Sequence, residues 1–577
     1  MRLKMRYMTV VLLIVLSVDA YSQSHNEQVT VEGTYRPQIR KSERIAKEAS
    51  APNNNFNIPD YKANTSDFDF KYEMEIESVS PNSYVDEQTQ LIYNNFLKAG
   101  LGTMLSPVFL YSHYSDITRS SSLGIGVRHN STWLNMKDYS SSSFMNNAFN
   151  IGMLNKFKVG QLKTDVDYRY DMYHLRAVDI NDPLIFVNND NGRNIHSLNA
   201  TAAFAASGSS YKSLYEEIKL DYQYTGICGS VNEHLIQLKS NLCYSDNWMG
   251  NKDNNVQTLG ADVDIAFNKL GTMLTIVKLS PYFDMNGAFY RMRLGVNLDV
   301  KTNDSDSFGL HPDIEAALFV LNNKLEFYAS LSGDNRFYTL KDILADNPFI
   351  ITNFKFGDFG YEKTRVDLRA GIKVNILNDV DVHAGMRYRK INNDMFFVAT
   401  DDFYAKYEGD ENTYRLMAFD IMYANCNEFN FMANLRWKIN GKWSFSADFT
   451  YNTYALSMPD GMNNDSGLDT LYSHAWYKPG FELCLKTDYK MNEKWRFDLS
   501  ALMWGKRYSL EGNLDAMEYV VSELEPLFDL QLGANYEVKD NFTVFAEIHN
   551  VLNDKYQIYY SYPSYGFQLY LGIKYRF

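Results

Sequence analysis

The chain has 577 residues and a formal net charge of −14 at pH 7, with 45% hydrophobic and 15% aromatic residues. The acidic balance provides no basic footprint for nucleic acid, so nucleic acid is excluded as a partner. A mean hydropathy of −0.36 excludes a bundle of membrane-spanning helices.

Residues 1–20 are predicted to be a signal peptide. Arg2, Lys4 and Arg6 precede a mostly apolar run over residues 7–18, and a small-residue cleavage motif ends at Ala20. The apolar run is too short to span a bilayer as a helix. No stretch of 18 apolar residues follows it. We therefore predict export without a transmembrane helix.

Residues 21–96 are predicted to form a leader on the periplasmic side. The sequence alternates from Glu27 to Pro37, becomes charged, and alternates again from Ser66 to Ser78, where Phe68 to Ile76 place five apolar side chains on one side. This length fits one or two strands and does not fit a large domain.

From residue 97 to residue 577, segments of about 10–16 residues alternate between apolar and polar side chains. The clearest are Arg365 to Leu377, Trp443 to Ala455, Phe481 to Met491 and Phe528 to Val538. Strands place successive side chains on opposite faces, so each segment has one apolar and one polar face. We predict an all-β fold: a transmembrane, antiparallel outer-membrane β-barrel of roughly 20–22 strands.

The connections between these segments are of two kinds. Asn440 to Lys442 and Val538 to Asn541 are short and polar, whereas residues 456–475, 508–525 and 555–565 form long connections. Near the carboxy-terminus the two kinds alternate, as do the periplasmic turns and exterior loops of outer-membrane barrels. The strand count is open near residues 395–440, where Tyr414 to Lys438 form either one long bent strand or two, and it is also open near residues 130–160.

Lipid, rather than a protein core, is predicted to cover the apolar faces. Many polar faces carry charges of both signs, as a wet lumen does, and no pattern restarts every 100 residues, as in β-sandwich domains. Aromatic residues lie at predicted strand ends, as in interface girdles. Examples are Trp443, Tyr451, Tyr454, Trp495 and Trp504. We expect the protein in the outer membrane of a Gram-negative bacterium, in contact with lipid and lipopolysaccharide.

The final strand carries a candidate assembly signal. Its apolar face is formed by Phe567, Leu569, Leu571, Ile573, Tyr575 and Phe577. A strand that alternates in this way and ends on an aromatic residue is expected to be recognised by the barrel-insertion machinery.

The last 100 residues resemble the barrel of TonB-dependent receptors of Bacteroidetes-type bacteria. The resemblance rests on F-A-E-I-H-N-V-L-N-D-K-Y, from Phe545 to Tyr556, and on the closing strand from Tyr562 to Phe577. It implies uptake of a nutrient by binding and passage. The predicted lumen lining consists of Glu482, Lys486, Asp488, Asp529, Gln531 and Asn535.

The leader resembles only the beginning of such a receptor. V-T-V-E-G-T-Y-R-P resembles the stretch that opens the plug domain, near the TonB-binding box. It gives a candidate segment for an energy-coupling or other periplasmic protein, formed by Val29, Thr30, Val31, Gly33, Tyr35 and Pro37. Residues 21–96 are too few for a full plug, so the lumen is filled by the short leader, by another chain or by loops that fold inward.

Chemistry at a fixed site is not predicted. The sequence has neither H-E-x-x-H nor G-x-S-x-G, so we expect no metal, no cofactor and no enzyme activity. Cys228 and Cys243 either pair across a hairpin or stay free, and free thiols are favoured.

Three functions remain open from the sequence. The first is a transport barrel of the TonB-dependent-receptor type for an unidentified nutrient. The second is a passive, porin-like diffusion channel, because a barrel of this size leaves a channel unless it is plugged. The third is a structural or assembly component of the outer membrane.

Overall fold

The computed structural model describes residues 93–136, 142–177, 192–206, 214–249, 256–304, 307–351, 361–376, 379–406, 413–459, 468–513 and 518–577. The predicted signal peptide and almost all of the predicted leader, including the candidate partner segment at residues 29–37, lie outside this part. No helix of the described part is long and apolar enough to cross a membrane.

The described chain is almost entirely β-structure, with two short helices. The first strands are β1 (Asn95–Gly102), β2 (Ser106–Thr118), β3 (Ser121–Thr132), β4 (Phe144–Lys156), β5 (Gly160–His174), β6 (Arg176–Ala177), β7 (Gly192–Ala206), β8 (Leu214–Ile227) and β9 (Asn232–Asp246). They are followed by β10 (Val256–Leu270), β11 (Thr272–Asn286), β12 (Tyr290–Lys301), β13 (Phe308–Val320), β14 (Leu325–Phe337), helix α1 (Leu340–Asp346), β15 (Tyr361–Ile376), β16 (Val380–Lys406) and β17 (Thr413–Ile439). The remaining elements are β18 (Trp443–Ser457), helix α2 (Leu468–Leu471), β19 (Phe481–Lys490), β20 (Trp495–Trp504), β21 (Arg507–Asn513), β22 (Glu518–Leu524), β23 (Leu527–Lys539), β24 (Phe542–His549), β25 (Gln557–Tyr559), β26 (Tyr562–Pro563) and β27 (Gln568–Arg576).

Twenty-two of these strands form one closed antiparallel barrel, which confirms the predicted fold class. Each strand pairs with its neighbours in chain order once β6, β21, β22, β25 and β26 are set aside, and the last strand, β27, pairs with the first, β1. The closing register runs from Phe96 opposite Arg576 to Gly102 opposite Tyr570. Closure removes both sheet edges, which lipid requires because unpaired backbone groups find no partner there.

The two ends of the barrel differ in the length of their connections. At the end that holds Asn95 and Phe577, the connections include residues 119–120, 287–289, 440–442 and 540–541. At the other end they include residues 338–360, 458–480, 505–526 and 550–567. The first end therefore faces the periplasm and the second the exterior. The region left open by the sequence, around residues 395–440, contains two long strands, β16 and β17.

Contacts between non-adjacent strands identify the lumen face. Lys574 on β27 donates to the Asn535 side chain on β23 at 2.6 Å, across the intervening strand β24. Lys98 on β1 reaches Glu547 on β24 at 2.8 Å, across β27. Such contacts form only on the concave side of a curved sheet. The opposite face is apolar and exposed, as at Leu571, which is 56% exposed, so it is the lipid face.

Candidate functional site

The structure places all six residues of the predicted lumen lining on the concave face, in two groups. Glu482, Lys486 and Asp488 lie on β19, and the β23 group forms hydrogen bonds. Gln531 donates to Asp529 at 2.8 Å, and Asn535 donates to Asp498 on β20 at 3.1 Å. Asp488 of the β19 group lies directly opposite Asp498 on β20, so the two groups adjoin at that residue.

A network of charged side chains at the barrel seam, where the last strand β27 pairs with the first strand β1, was not predicted from the sequence. Lys98 donates to both carboxylate oxygens of Glu547, and the amino groups of Lys98 and Lys574 lie 4.5 and 5.0 Å from the centre of the Phe545 ring. Glu547 and Lys574 lie at the alternate positions of their strands that form the polar face. Strand alternation could therefore have assigned both residues to the lumen. Phe545 lies at a position of the same face but is apolar, so alternation alone does not predict that it faces the lumen.

The exterior mouth of the barrel is covered by loops that fold inward. Their buried apolar side chains form one cluster, which we call the cap. Its members include Leu340, Ile343, Ile350, Phe396, Val398, Met417, Phe419, Trp476, Tyr477, Leu510 and Tyr559. They come from the loops after β14, β18, β20 and β24 and from the outer parts of β16 and β17.

Backbone pairing shows that the cap crosses the mouth. Ala177 and Arg176, in the loop after β5, pair with Leu416 and Met417 at the outer end of β17. These two barrel strands are the fifth and the sixteenth of twenty-two, so they stand on opposite walls. Their direct pairing therefore requires one of the segments to extend across the opening.

Aromatic rings hold the loops of the cap together. The rings of Phe349 and Tyr562 stack with their centres 3.8 Å apart, and the Tyr562 hydroxyl donates to the Met417 carbonyl at 2.6 Å. Phe419 is fully buried, and its ring lies 5.6 Å from that of Tyr477 and 5.4 Å from that of Tyr559. The Tyr559 hydroxyl donates to the carbonyl of Asp346 at the end of α1. Four separate parts of the chain thus meet in one buried cluster.

Arg507 joins two cap loops through backbone carbonyls. Its guanidinium donates to Gln557 at 2.6 Å, to Ile558 at 3.0 Å and to Glu525 at 3.5 Å, and its side chain has no exposed surface. Burial lowers the pKa of the Arg507 guanidinium to about 10. The group stays charged near neutral pH, and its hydrogen bonds compensate part of its desolvation.

Replacing Arg507 with methionine is expected to loosen the cap. The change leaves buried carbonyls without donors and costs about 3 kcal/mol of local stability. Amide hydrogen exchange over residues 556–565 should accelerate roughly 100-fold, because exchange there requires local opening. Lys506→Met is the matched control, since Lys506 is exposed and forms an ion pair with Glu523 alone among the described residues. Equal exchange in both variants would show that Arg507 does not hold the loops.

Two aromatic residues expected in an interface girdle face the interior instead. Trp504 is 3% exposed and packs with Leu527 and Tyr556, and Tyr454 packs against the cap. Tyr454 lies two residues after the lumen-facing Asn452, and Trp504 lies six residues after Asp498, so both share the lumen face of their strands. Strand alternation could therefore have placed them inside the barrel. Trp443, Tyr451 and Trp495 lie exposed on the outer face.

No disulfide joins Cys228 to Cys243. Cys228 follows the exterior end of β8, whereas Cys243 pairs with Tyr215 and Gly260 toward the periplasmic end. The hairpin therefore separates the two residues along its length, so they do not pair, as the favoured interpretation predicted. Cys426 and Cys484 also form no disulfide.

No protein-family model and no curated protein sequence matches the chain. Solved outer-membrane receptor structures do match it. The ferric-catecholate import receptor Fiu of E. coli K12, in its closed form, has 9% identity and a TM-score of 0.60, over 84% of this chain and 82% of that chain. The FrpB iron transporter of Neisseria meningitidis has 11% identity and a TM-score of 0.59, over 85% and 82%.

The siderophore receptor PirA of Pseudomonas aeruginosa has 12% identity and a TM-score of 0.53, over 84% of this chain and 80% of that chain. Identities this low do not allow functions to be transferred residue by residue. The structural matches and the closed 22-strand sheet together show the fold. The chain therefore has the outer-membrane barrel fold of TonB-dependent receptors, as the resemblance of its last strands predicted.

Proposed function

We propose that this protein is a gated transport barrel of the TonB-dependent-receptor type, which takes up a nutrient across the outer membrane. The cap is the observation that carries the proposal. Its segments cross the mouth between opposite walls and bury a continuous apolar cluster. A lumen closed in this way has to be opened for passage, so transport requires a conformational step.

The cap also separates this proposal from the two alternatives. A passive porin-like channel needs a continuous polar path, and a buried apolar cluster at the mouth interrupts it. A purely structural component needs no polar lumen, yet the concave face carries ordered networks such as Lys98–Glu547. The matched structures are named as receptors or transporters of iron or siderophores, which supports import as the direction of transport.

The proposed mechanism consists of binding and passage, without bond chemistry. The cap loops select the solute at the exterior, and the lumen residues Glu482, Lys486, Asp488, Asp529, Gln531 and Asn535 line its route. The work of opening comes from an energy-coupling protein in the periplasm, which binds the leader segment formed by Val29, Thr30, Val31, Gly33, Tyr35 and Pro37. An extended segment of this kind binds by adding a strand to a sheet edge of its partner.

Binding of the mature protein to the periplasmic domain of a TonB protein tests this proposal. We expect measurable binding by titration calorimetry, and at least tenfold weaker binding after Val29→Pro and Val31→Pro, because proline removes a backbone donor from the added strand. Val79→Pro is the control, since it lies in the same leader but outside the segment. If the mature protein does not bind, or both proline variants bind equally well, energy-coupled uptake is contradicted.

The face of the closing strand is proposed to be the signal for barrel insertion. Phe577 and Asn95 exchange backbone hydrogen bonds at 2.9 and 3.1 Å, and Phe577→Ala keeps them while removing the ring. The amount of folded protein in the outer membrane should fall at least roughly tenfold, because misassembled chains are degraded. Tyr451→Ala is the control, because Tyr451 is an exposed aromatic residue on the outer face of β18 and is not part of the signal. Normal assembly of Phe577→Ala would contradict the signal.

A further inference from the structure

The barrel wall is split between β13 and β14 near the exterior end. These two strands pair from Val320 opposite Leu325 up to Asp313 opposite Ser332, and their pairing ends there. Each strand continues for five further residues toward the exterior. Over that stretch β13 stays paired with β12, and β14 pairs with β15. The two halves of the wall therefore separate above the last pair.

The sequence explains why the pairing stops at this place. Pro312 and Gly333 occupy the first positions beyond the last pair. Phe319 donates its backbone amide to Phe289, next to the start of β12, at 2.8 Å. Successive amides of a strand point to opposite sides, so Pro312, seven residues before Phe319, lies on the side that faces β14. Proline has no amide hydrogen, so the ladder loses a donor where it ends.

Above the split, β14 leans over the lumen side of β13. Alternation from the exposed Phe327 would place Asn335 on the lipid face. Instead, Asn335 donates to Asp299 on the lumen face of β12 at 2.5 and 2.8 Å, and its Nδ2 lies 3.0 Å from Nε2 of His311 on β13. A Cβ at Gly333 would lie 2.9 Å from His311 Nδ1, so the absence of a side chain permits this crossing.

A line of irregular positions continues from the split across the next three strands, and we call it the bend line. Arg365 is an extra residue of β15 relative to β16. Asn392 and Asn393 of β16 together oppose Asn425 of β17, and Asn393 has a φ of 60°, in the left-handed region. The pairing of β17 with β18 also ends at Asn425, opposite Ser457. Bulges bend strands, so β14 to β17 all turn inward at adjoining positions.

The described chain beyond the bend line forms one connected body, which we call the panel. It consists of residues 334–338, helix α1, and residues 349–351, 361–364, 394–400 and 416–424. Arg336 donates to Glu362 at 2.7 Å, and the Tyr338 hydroxyl donates to Asp394 at 3.1 Å. Asp394 in turn pairs with Ala424 across β16 and β17. Hydrogen bonds therefore join all four strands of the panel.

Polar contacts hold the panel against the wall formed by β9 to β13, and we call them the latch. The Tyr361 hydroxyl donates to the carbonyl of Thr302, after β12, at 2.9 Å. The amide of Leu340, at the start of α1, donates to Glu233 on β9 at 2.8 Å. The bonds of Asn335 across the split belong to the same row. The net strength of each contact is modest, because water replaces the lost partner when the panel moves away.

We propose that the panel is a hinged part of the barrel wall, which opens the mouth by rotating outward about the bend line after the latch is released. This inference rests on the proposed function of a gated barrel and adds the moving part, which is a portion of the wall and not only its loops. The rotation keeps the hydrogen bonds inside the panel. It breaks the latch, the short pairings with β6 and β21, and the apolar contacts with the other cap loops.

A disulfide across the split tests the hinge. In chains whose native cysteines other than Cys426 are replaced with serine, His311→Cys and Asn335→Cys place two thiols where the side chains meet. Labelling of Cys426, which is 2% exposed beside the bend line, by a membrane-impermeant maleimide on intact cells reports opening. The reduced chain should be labelled at least roughly tenfold faster than the same chain with native His311 and Asn335, because its latch is weakened. Oxidation should slow the labelling at least roughly tenfold, because the disulfide fixes the panel.

The matched control is a disulfide inside the panel. Arg336→Cys and Glu362→Cys join β14 to β15, whose residues pair at this position. Oxidation of this pair should leave the labelling of Cys426 unchanged, because both partners move together. Mass spectrometry confirms each disulfide, and heat-modifiable mobility confirms a folded barrel. Equal slowing by the two disulfides, or no response to either, would overturn the proposal.

Asn393→Val tests the bend line in a chain with a native latch. A β-branched residue disfavours the left-handed conformation, so the bent strand is destabilised and Cys426 should be labelled roughly tenfold faster. Asn440→Val is the matched control, because Asn440 also has a positive φ, of 52°, but lies in a periplasmic turn. Equal labelling rates in these two variants would contradict a hinge at Asn393.

Amide hydrogen exchange separates rotation of the panel from its unfolding. Residues 395–399 and 419–423 pair with each other inside the panel. Their exchange rates in the reduced chain should stay close to those of the chain with the native latch while Cys426 labelling accelerates. Acceleration of both by the same factor would overturn the proposal in favour of local unfolding. No solute or energy-coupling protein takes part, so a fixed panel would contradict the hinge and leave TonB binding as a separate result.

Discussion

Replacing residues 395–423 with a two-residue Asn-Gly turn is expected to expose the lumen from outside the cell. The replaced part is the outer portion of β16 and β17, which includes Phe396, Val398, Met417 and Phe419 of the cap. The wall below it is retained, because β16 pairs with β15 up to Asn392 and β17 pairs with β18 from Asn425. Asp394 and Ala424 pair with each other, so a two-residue hairpin turn closes the strands.

The endogenous thiol of Cys426 reports the opening. Cys426 is 2% exposed and belongs to the buried cluster at the base of the cap. In chains where Cys228, Cys243 and Cys484 are replaced with serine, labelling of Cys426 on intact cells by a membrane-impermeant maleimide should accelerate roughly 100-fold, because opening of the intact cap is rare. The control replaces only residues 407–412 by the same turn and keeps the cap residues. Equal labelling rates in the two chains would show that these strands do not seal the mouth.

Gly572→Val is expected to prevent closure of the barrel. Gly572 on β27 lies opposite Gly100 on β1, and the ring of Phe545 covers both. A Cβ at residue 572 would clash with the carbonyl oxygen of Ala99 and lie 2.6 Å from both the Gly100 Cα and the Phe545 ring. Backbone atoms cannot yield as a flexible side chain does, so overpacking at this seam separates the first and last strands.

The folded amount of Gly572→Val in the outer membrane should be at least roughly tenfold lower, since an open seam exposes unpaired backbone to lipid. Gly124→Val is the matched control. Gly124 also lies on the concave face, on β3, but a Cβ there meets only the carbonyl oxygen of Gly152 at 3.9 Å. Heat-modifiable mobility measures the folded fraction of both variants. Equal amounts would contradict the close packing at the seam.

Strand alternation predicted most of the barrel because it is a local property of the sequence. The segments from Trp443 and Phe481 begin strands at those same residues, and the long connections near the carboxy-terminus lie at the exterior end. The candidate site is different, because the cap is formed by loops from opposite walls. Which loops meet depends on barrel closure and on contacts between residues hundreds of positions apart, as between Arg176 and Tyr562.

The sequence nevertheless contained a signal for the cap. M-F-F-V-A, from Met395 to Ala399, and L-M-A-F, from Leu416 to Phe419, are continuous apolar runs in a region that otherwise alternates. A strand that is apolar on both faces is buried on both. The first run pairs with Phe419 to Tyr423, the second pairs with Ala399 to Phe403, and both contribute side chains to the cap. The strand count was open in this region because the alternation breaks where the strands leave the membrane wall.

Single-channel conductance in a planar bilayer tests the central claim, closure of the mouth by the cap. The comparison uses two chains without residues 21–92, one with the native cap and one with residues 395–423 replaced by Asn-Gly. We predict silence for the chain with the native cap and steady conductance for the chain without it. Steady conductance with the native cap would contradict gating by the cap and support a passive channel.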